Sequence, residues 1–243
     1  MSRTDHVVDG ITRMILDGEL SPGDRLPVEK DLATRLEVSR GSLREGVRAL
    51  SVLGVVESRQ GDGTYVTSLD PSLLAGPLGL VVELQGAGHA LHVHAVRRML
   101  ETEAAGLAAS RTQAAGPSLV RARAALDDAA RVLAEAPGPD ADAGVDHHER
   151  LLDADVAFHR AVADAAGNPV LAALIEALAG RTARHRLWRG ITQAGADERT
   201  QGEHEAILAA VTDGDTGRAR VRMAAHLLEV EDFLRSRQDP TGP

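Results

Sequence analysis

Four titratable side chains lie on faces that the sequence otherwise reserves for apolar residues. Asp155 and His159 are four residues apart, so a helix would place both on one side. His204 and His226 each lie in a stripe of apolar residues at helical spacing. A buried polar group without a partner costs about 2–7 kcal/mol, and carboxylates and imidazoles from facing helices are common metal ligands in bundle cores. We therefore predict that Asp155, His159, His204 and His226 hold one divalent transition metal. The alternative is that hydrogen bonds satisfy each histidine separately.

A second group of side chains has the spacing of a nucleic-acid contact. Arg40, Arg44 and Arg48 recur at every fourth residue, which places them on one face of a helix. The planar guanidinium group matches both phosphate oxygens and the edge of guanine. A row of arginines alone is also typical of a solvated helix face, so the elements around it must decide between the two interpretations.

The elements around these arginines are typical of a winged helix-turn-helix. The pattern predicts a short helix over residues 28–36, a turn, and a longer helix that Ser39 caps and that ends near Leu53. Residues 55–67 contain two β-prone runs around the glycine-rich turn 60–63, which is a hairpin signal. In this arrangement the second helix enters the major groove of double-stranded DNA.

This block resembles the N-terminal domain of the GntR family of bacterial transcription regulators. The motifs that carry the resemblance include Leu26-Pro27-Val28-Glu29, Val38-Ser39-Arg40 and Arg44-Glu45-Gly46-Val47, although the family usually has Ser at position 28 and Ala at position 46. The resemblance implies contacts with operator DNA from seven residues: Lys30, Ser39, Arg40, Ser42, Arg44, Gln60 and Gly61. It leaves open whether Arg48 faces DNA or its own domain.

The rest of the sequence predicts helices and no strand, so we expect a mainly α protein with an antiparallel helical bundle after the winged domain. The predicted boundaries are a winged helix-turn-helix over 1–68, a linker over 69–88, a helical domain over 89–236 and a frayed tail over 237–243. The apolar run 78–84 in the linker is ambiguous, because it fits either a linker helix or an interface.

The helical region resembles the FCD effector domain of the FadR-type branch of the same family. Metal-binding members of that branch carry an Asp and a His four residues apart and then single histidines on two later helices, as this sequence does. Arg97 and Glu101 match an Arg-x-x-Leu-Glu motif in the first long helix of the domain. The resemblance implies that Arg97 binds the carboxylate of a small organic-acid effector beside the metal. The alternative for Arg97 is a surface ion pair with Glu101.

The composition limits the class of protein. A net charge of −9 argues against a general nucleic-acid binder, and the absence of cysteine excludes thiolate ligands and disulfides and fits a cytoplasmic location. No apolar run approaches the roughly 20 residues that cross a membrane. Zinc is the first candidate metal, with nickel, manganese and iron left open.

These observations predict a ligand-responsive transcription regulator without enzymatic activity. We expect a homodimeric repressor that binds a near-palindromic operator, because two-fold symmetry in the protein and in the DNA go together. The alternative is a metalloenzyme in which the metal activates water. No general base has an evident place in the sequence, since Glu203 and Glu205 adjoin His204 but are expected to point elsewhere.

Overall fold

The computed structural model describes residues 2–84, 89–135 and 144–238. The chain divides into two compact units, Met1–Pro77 and Leu78–Pro243, and the division falls inside the predicted linker. Residues 85–88 of that linker lie outside the described residues. The predicted frayed tail begins within the last helix, which runs to Gln238, and the remainder of the tail also lies outside the described residues.

The first unit is a winged helix-turn-helix, as the sequence predicts. Its three helices are α1 (Arg3–Leu16), α2 (Glu29–Arg35) and α3 (Arg40–Val52), and its two strands are β1 (Val56–Arg59) and β2 (Gly63–Val66). The strands form an antiparallel hairpin in which Val56 pairs with Val66. Compared with the predicted runs 55–58 and 64–67, each strand is shifted by one residue toward the turn. The side chain of Ser39 accepts a hydrogen bond from the backbone N–H of Ser42, which caps α3 as expected.

The first helix is an element that the sequence analysis misses. Ser2 and Asp5 form a reciprocal capping box at its N-terminus. Val7, Ile11 and Met14 are buried on one face and pack into the apolar core of the unit. These signals are present in the sequence, and α1 completes the core on which α3 packs.

Gly46 allows α1 and α3 to approach each other closely. A Cβ atom at this position would lie 2.4 Å from Cγ1 and 2.5 Å from Cβ of Val7. Alanine, the residue expected from the family resemblance, would therefore require the two helices to shift. Glycine in a helix interior costs about 1 kcal/mol relative to alanine, and here the tight helix crossing explains its presence.

The second unit is built from helices throughout its described residues. They are α4 (Ala75–Leu84), which begins just before the unit boundary, α5 (Ala90–Ser110), α6 (Gly116–Ala134), α7 (Gly144–Ala165), α8 (Pro169–Thr192), α9 (Ala196–Thr212) and α10 (Thr216–Gln238). The ambiguous run 78–84 is thus helical. Within the described residues, none of the helices combines the length and apolar character needed to span a bilayer.

Short connections reverse the chain between α7 and α8, between α8 and α9, and between α9 and α10, which favours antiparallel neighbours. The main core consists largely of alanine and branched aliphatic side chains, with Phe158 as its bulkiest member. Small alanine side chains let the helix backbones come close together. This brings the inward faces of α5, α7, α9 and α10 within reach of one another.

Candidate metal centre and DNA interface

The structure brings Asp155, His159, His204 and His226 together inside the helical unit. Asp155 and His159 come from α7, His204 from α9 and His226 from α10. One ligand atom of each residue lies within 4.8 Å of those of the other three. The three histidines are buried, and Asp155 is nearly so. Three separate helices therefore supply four donor atoms to one point.

The donor distances suit a small metal ion. His204 Nε2 lies 3.2 Å from His226 Nε2, and Asp155 Oδ1 lies 3.7 Å from Nε2 of both His159 and His204. Ligands about 2.0–2.2 Å from zinc lie roughly 3.3 Å apart at tetrahedral angles. His159 Nε2 is buried and has no hydrogen-bond partner among the described residues. A metal ion would supply that partner, so the donor set fits the predicted group.

Two further carboxylates hold the outer nitrogens of the histidine rings. His159 Nδ1 hydrogen-bonds Glu101, and His226 Nδ1 donates to Glu203 Oε2 at 2.7 Å. Such contacts fix the tautomer and direct the lone pair of Nε2 toward a metal. The expectation that Glu203 points away from the site is wrong. Its side chain reaches across from α9 to the ring of His226 on α10.

The surroundings keep the histidines in the form that binds metals. Burial lowers the pKa of His226 to about 4, and the Glu203 hydrogen bond only partly opposes this effect. Burial also lowers the pKa of His159, and it holds the pKa of His204 well below its usual value, with a further contribution from the charge of His226. Neutral imidazole is the ligand form, so all three rings are ready to donate to a cation near neutral pH.

Arg97 lies in the interior and contacts Glu101 rather than lying on the surface. Its side chain is 0% exposed, and its Nε donates to the carboxylate of Glu101. Burial works against ionisation of Glu101, but the charges of Arg97 and His159 outweigh it and lower the pKa of this carboxyl. The alternative of a surface ion pair is therefore wrong in its location. Arg97, Glu101 and His159 form a buried chain that ends at the donor cluster.

A cavity of about 50 Å³ adjoins the donors. Asp155 and His226 line it together with Arg186 and Arg189 of α8, whereas Arg97 is not among the lining residues. Arg186 Nη1 donates to Asp155 Oδ2. Neither α8 arginine stands out in the sequence, because two charges in the second half of a helix are typical of a solvated face. Their burial depends on packing against α9 and α10.

The predicted DNA contacts lie on the accessible side of the first unit. Lys30 and Arg40 are exposed on α2 and α3, while Ser39 and Ser42 bond each other at the start of α3. Gln60 and Gly61 are exposed at the tip of the hairpin, where Gly61 has a φ of +73° that favours glycine. These positions match a helix and a wing that both remain open to a partner.

Arg44 is exposed and already holds an internal partner. Its Nε lies 2.5 Å from Glu29 Oε1 and its Nη2 lies 3.1 Å from Glu29 Oε2, so α2 fixes the direction of this α3 side chain. Arg48 lies next to a groove of about 540 Å³ between α3 and the wing. The guanidinium of Arg59 lies 4.1 Å from the centre of the Tyr65 ring and bonds Glu57, so it packs on the wing.

Comparison with known proteins gives a consistent result. The profile described as "Bacterial regulatory proteins, gntR family" matches residues 3–66, and the profile of the FCD domain matches residues 92–229. The chain is 36% identical over 229 residues to the HTH-type transcriptional regulator LutR of Bacillus subtilis strain 168, covering 91% of this chain and 96% of that protein. It is 30% identical over 229 residues to the Uxu operon transcriptional regulator of Escherichia coli K12, covering 92% of this chain and 83% of that protein.

A solved structure agrees in fold. The chain described as Streptococcus agalactiae GntR aligns with a TM-score of 0.68 at 24% identity, covering 94% of this chain and 99% of that chain. The two matched domains account for the winged unit and the helical unit in the same order along the sequence. This protein therefore belongs to the GntR family of bacterial regulatory proteins, with an FCD domain as its helical unit.

Proposed function

We propose that this protein is a transcription regulator whose affinity for an operator changes when a small organic acid binds beside a metal in the FCD domain. The observation that carries this proposal is the convergence of Asp155, His159, His204 and His226 next to a cavity that could hold a ligand. The metal would supply a positive centre for the acid. The protein itself orients the imidazoles, through Glu101 and Glu203, and shields the site from water.

The winged unit would read the DNA. We propose that Lys30, Ser39, Arg40, Ser42, Arg44, Gln60 and Gly61 contact double-stranded operator DNA, with the N-terminal end of α3 in the major groove. A homodimer would match a near-palindromic site, because a two-fold axis in the protein pairs with one in the operator. Repression follows where such a site overlaps a promoter, and a coupling of about 1–3 kcal/mol would change operator affinity roughly 5- to 150-fold.

The effector is proposed from the chemistry of the site. Imidazole and carboxylate donors accept zinc first, with nickel, manganese and iron as alternatives. The cavity has room for a few water molecules, which suits a small acid. Arg97 supports the site through Glu101 and His159, and its direct contact with the acid stays a prediction. The proposed DNA target places the protein in the cytoplasm.

A metalloenzyme is the weaker alternative. The two carboxylates that contact the outer ring nitrogens of the cluster, those of Glu101 and Glu203, accept hydrogen bonds from His159 and His226, so neither is a free general base. The relatives reported above are named as transcription regulators. Incubation of the zinc-loaded protein with candidate acids should leave the acids unchanged by mass spectrometry.

The test of the proposed function is a pair of titrations on the full chain. We expect zinc to bind in a ratio of one per chain by calorimetry, and the change His204→Ala to remove this binding while the change His92→Ala, at an exposed histidine on α5, keeps it. In parallel, duplexes selected from a random-sequence pool should yield an inverted repeat whose affinity changes when zinc and an acid are added. Zinc binding that survives His204→Ala would refute the metal centre.

A further inference from the structure

We propose that Arg186 and Arg189 form the receptor for the carboxylate of the effector, and that the bound metal makes this receptor available by changing the charge balance of the cavity. This inference rests on the proposed function, which supplies the metal and the acid. It adds the residues that recognise the acid and the order of binding.

Both arginines are placed as anion ligands. They come from the same helix, three residues apart, and line the cavity together with the metal donors Asp155 and His226. The side chain of Arg186 is 7% exposed, and Arg189 is 3% exposed. A guanidinium buried to this degree needs acceptors for its N–H groups, because burial removes these groups from bulk water.

The protein meets this need only in part. Arg186 uses Nη1 for Asp155 Oδ2 and Nη2 for the carbonyl of Ala179 at 3.0 Å, and its Nε has no hydrogen-bond partner among the described residues. Arg189 uses Nε for Gln193 Oε1 at 3.2 Å, and its Nη2 likewise has none in the described part of the chain. Each of the two arginines that line the cavity therefore has one buried N–H donor to which a carboxylate can bind.

The charges explain why a metal would be required first. Within the described residues, four carboxylates and three guanidiniums line the cavity or belong to the contact chains of the donor histidines. They are Asp155, Asp197, Glu101 and Glu203 against Arg97, Arg186 and Arg189. These charges leave one negative charge in excess, so an anion that entered the metal-free cavity would meet repulsion. A divalent cation at the four donors instead leaves one positive charge in excess. An anion then lowers the electrostatic cost of the buried site.

The carboxylate of Asp155 joins the two halves of the site. Its Oδ1 faces the histidine nitrogens, whereas its Oδ2 accepts from Arg186. A cation on the Oδ1 side weakens the hold of this carboxylate on Arg186, because the same negative charge now serves two positive groups. Arg186 thus becomes a better donor to an incoming acid when the metal is bound. By linkage, the acid must raise the affinity for the metal by the same factor.

The experiment compares acid binding in zinc-loaded and chelator-treated full-length protein. Acetate, glycolate, lactate and pyruvate serve as probes in a thermal-shift assay followed by calorimetry, with lactamide as a neutral control for lactate. We expect at least one acid to bind the zinc-loaded protein, lactamide not to bind, and the chelated protein to bind the acid at least about tenfold more weakly. Equal acid affinity with and without zinc would overturn the proposed order, and so would the lack of any acid response in zinc-loaded protein.

Variants of the two arginines test the assignment itself. Arg189→Gln and Arg186→Gln should each weaken acid binding by about 10- to 100-fold, the usual effect of losing a hydrogen bond to a charged group. Arg186→Gln should at the same time raise zinc affinity, because Asp155 loses a competing positive charge. Loss of a purely structural contact would instead lower both affinities. The control is Arg160→Gln, whose exposed side chain pairs with Glu176 on the same unit.

The outcomes separate this inference from the proposed function. Unchanged acid affinity in both arginine variants would refute the receptor, while zinc binding and operator regulation would still stand. Failure of the unmodified protein to bind zinc would instead refute the metal centre. If Arg186→Gln does not fold, Arg189→Gln and the conservative change Arg186→Lys carry the test, and Arg186→Lys should keep the charge but lose the planar fork and part of the acid affinity.

Discussion

The two units differ in the exposure of their candidate functional side chains, which are exposed in the winged unit and buried in the helical unit. In the winged unit Arg40 and Arg44 project into solvent from α3, and Arg44 shares its charge with Glu29 in an exposed pair. In the helical unit His159 and His204 are almost inaccessible. The first arrangement suits a large polyanion that arrives from outside, while the second suits a small ion and a small ligand that enter the interior.

The two regions therefore differ in how their charged groups are compensated. An exposed ion pair contributes little to stability, so the proposed exchange of Glu29 for DNA at Arg44 would cost little. A buried charge must keep partners, because an uncompensated one is strongly destabilising. The buried centre accordingly has a second layer of contacts, in which Glu101 and Glu203 hold the histidine rings. We expect substitutions in the two regions to differ in size and in what they disturb.

The largest effect is expected from removal of a metal donor. The change His204→Ala should lower zinc affinity by more than about a hundredfold, because loss of an outer-layer contact alone costs 10- to 100-fold. Calorimetry with zinc measures this, and His92→Ala serves as the matched control. Thermal unfolding in a chelator must show that the variant is folded. An unchanged operator affinity of the metal-free variant would further support separate roles for the two units.

The next effect is expected in the outer layer of the same centre. The change Glu101→Gln should reduce zinc affinity about 10- to 100-fold, because the amide no longer holds the Nδ1–H of His159 as firmly as a carboxylate. The neighbouring change Glu103→Gln, at an exposed residue that pairs with Arg220, should have no effect on zinc. Equal losses of zinc affinity in the two variants would show that the buried chain from Arg97 to His159 does not orient His159 toward the metal.

A smaller effect is expected at the exposed helix. The change Arg44→Ala should weaken binding to the selected operator by about tenfold and relax its sequence preference, if this side chain reads a base. Zinc affinity should stay the same. The control is Arg35→Ala, an exposed arginine of α2 that pairs with Glu19. Electrophoretic mobility shifts at fixed salt give the operator affinities of the variant and of the control. An unaltered operator affinity in Arg44→Ala would show that the DNA-contacting face of α3 is assigned wrongly.

The smallest effect is expected from packing rather than charge. The change Gly46→Ala should lower the stability of the winged unit by about 1 kcal/mol, because the clash with Val7 outweighs the gain in helix propensity. The change Gly41→Ala in the same helix, where the nearest atom lies 3.7 Å away, should be neutral or slightly stabilising. A stabilising effect of Gly46→Ala in thermal unfolding would contradict the tight crossing of α1 and α3.

Most of the fold can be predicted from local patterns. Ser39 at the start of α3, the hairpin turn at 60–63 and Asn168-Pro169 at the start of α8 are signals that act over a few residues, and the structure follows them. The first helix shows the limit of this approach in practice. Its capping box and its buried apolar face are local signals of the same kind, although no helix is predicted there from the sequence.

The candidate site can be predicted in part. Asp155, His159, His204 and His226 stand out because a polar residue on an apolar stripe requires a reason, and the fold brings them together. The roles of Glu203, Arg186 and Arg189 do not stand out, because on their own helices they look like ordinary surface charges. Their burial depends on which neighbouring helix covers them, and helical periodicity carries no information on that.

The order of the two units, the helix face that carries the arginines and the four polar residues on apolar stripes can all be predicted from the sequence, since they follow from spacing and caps within single elements. Only the packing of the helices shows that Arg97 lies inside the protein, that Glu101 and Glu203 hold the histidines, and that Arg186 and Arg189 line a cavity beside Asp155. The physical reason is that burial and charge compensation are properties of several helices together. They arise only when distant segments pack against one another and exclude water.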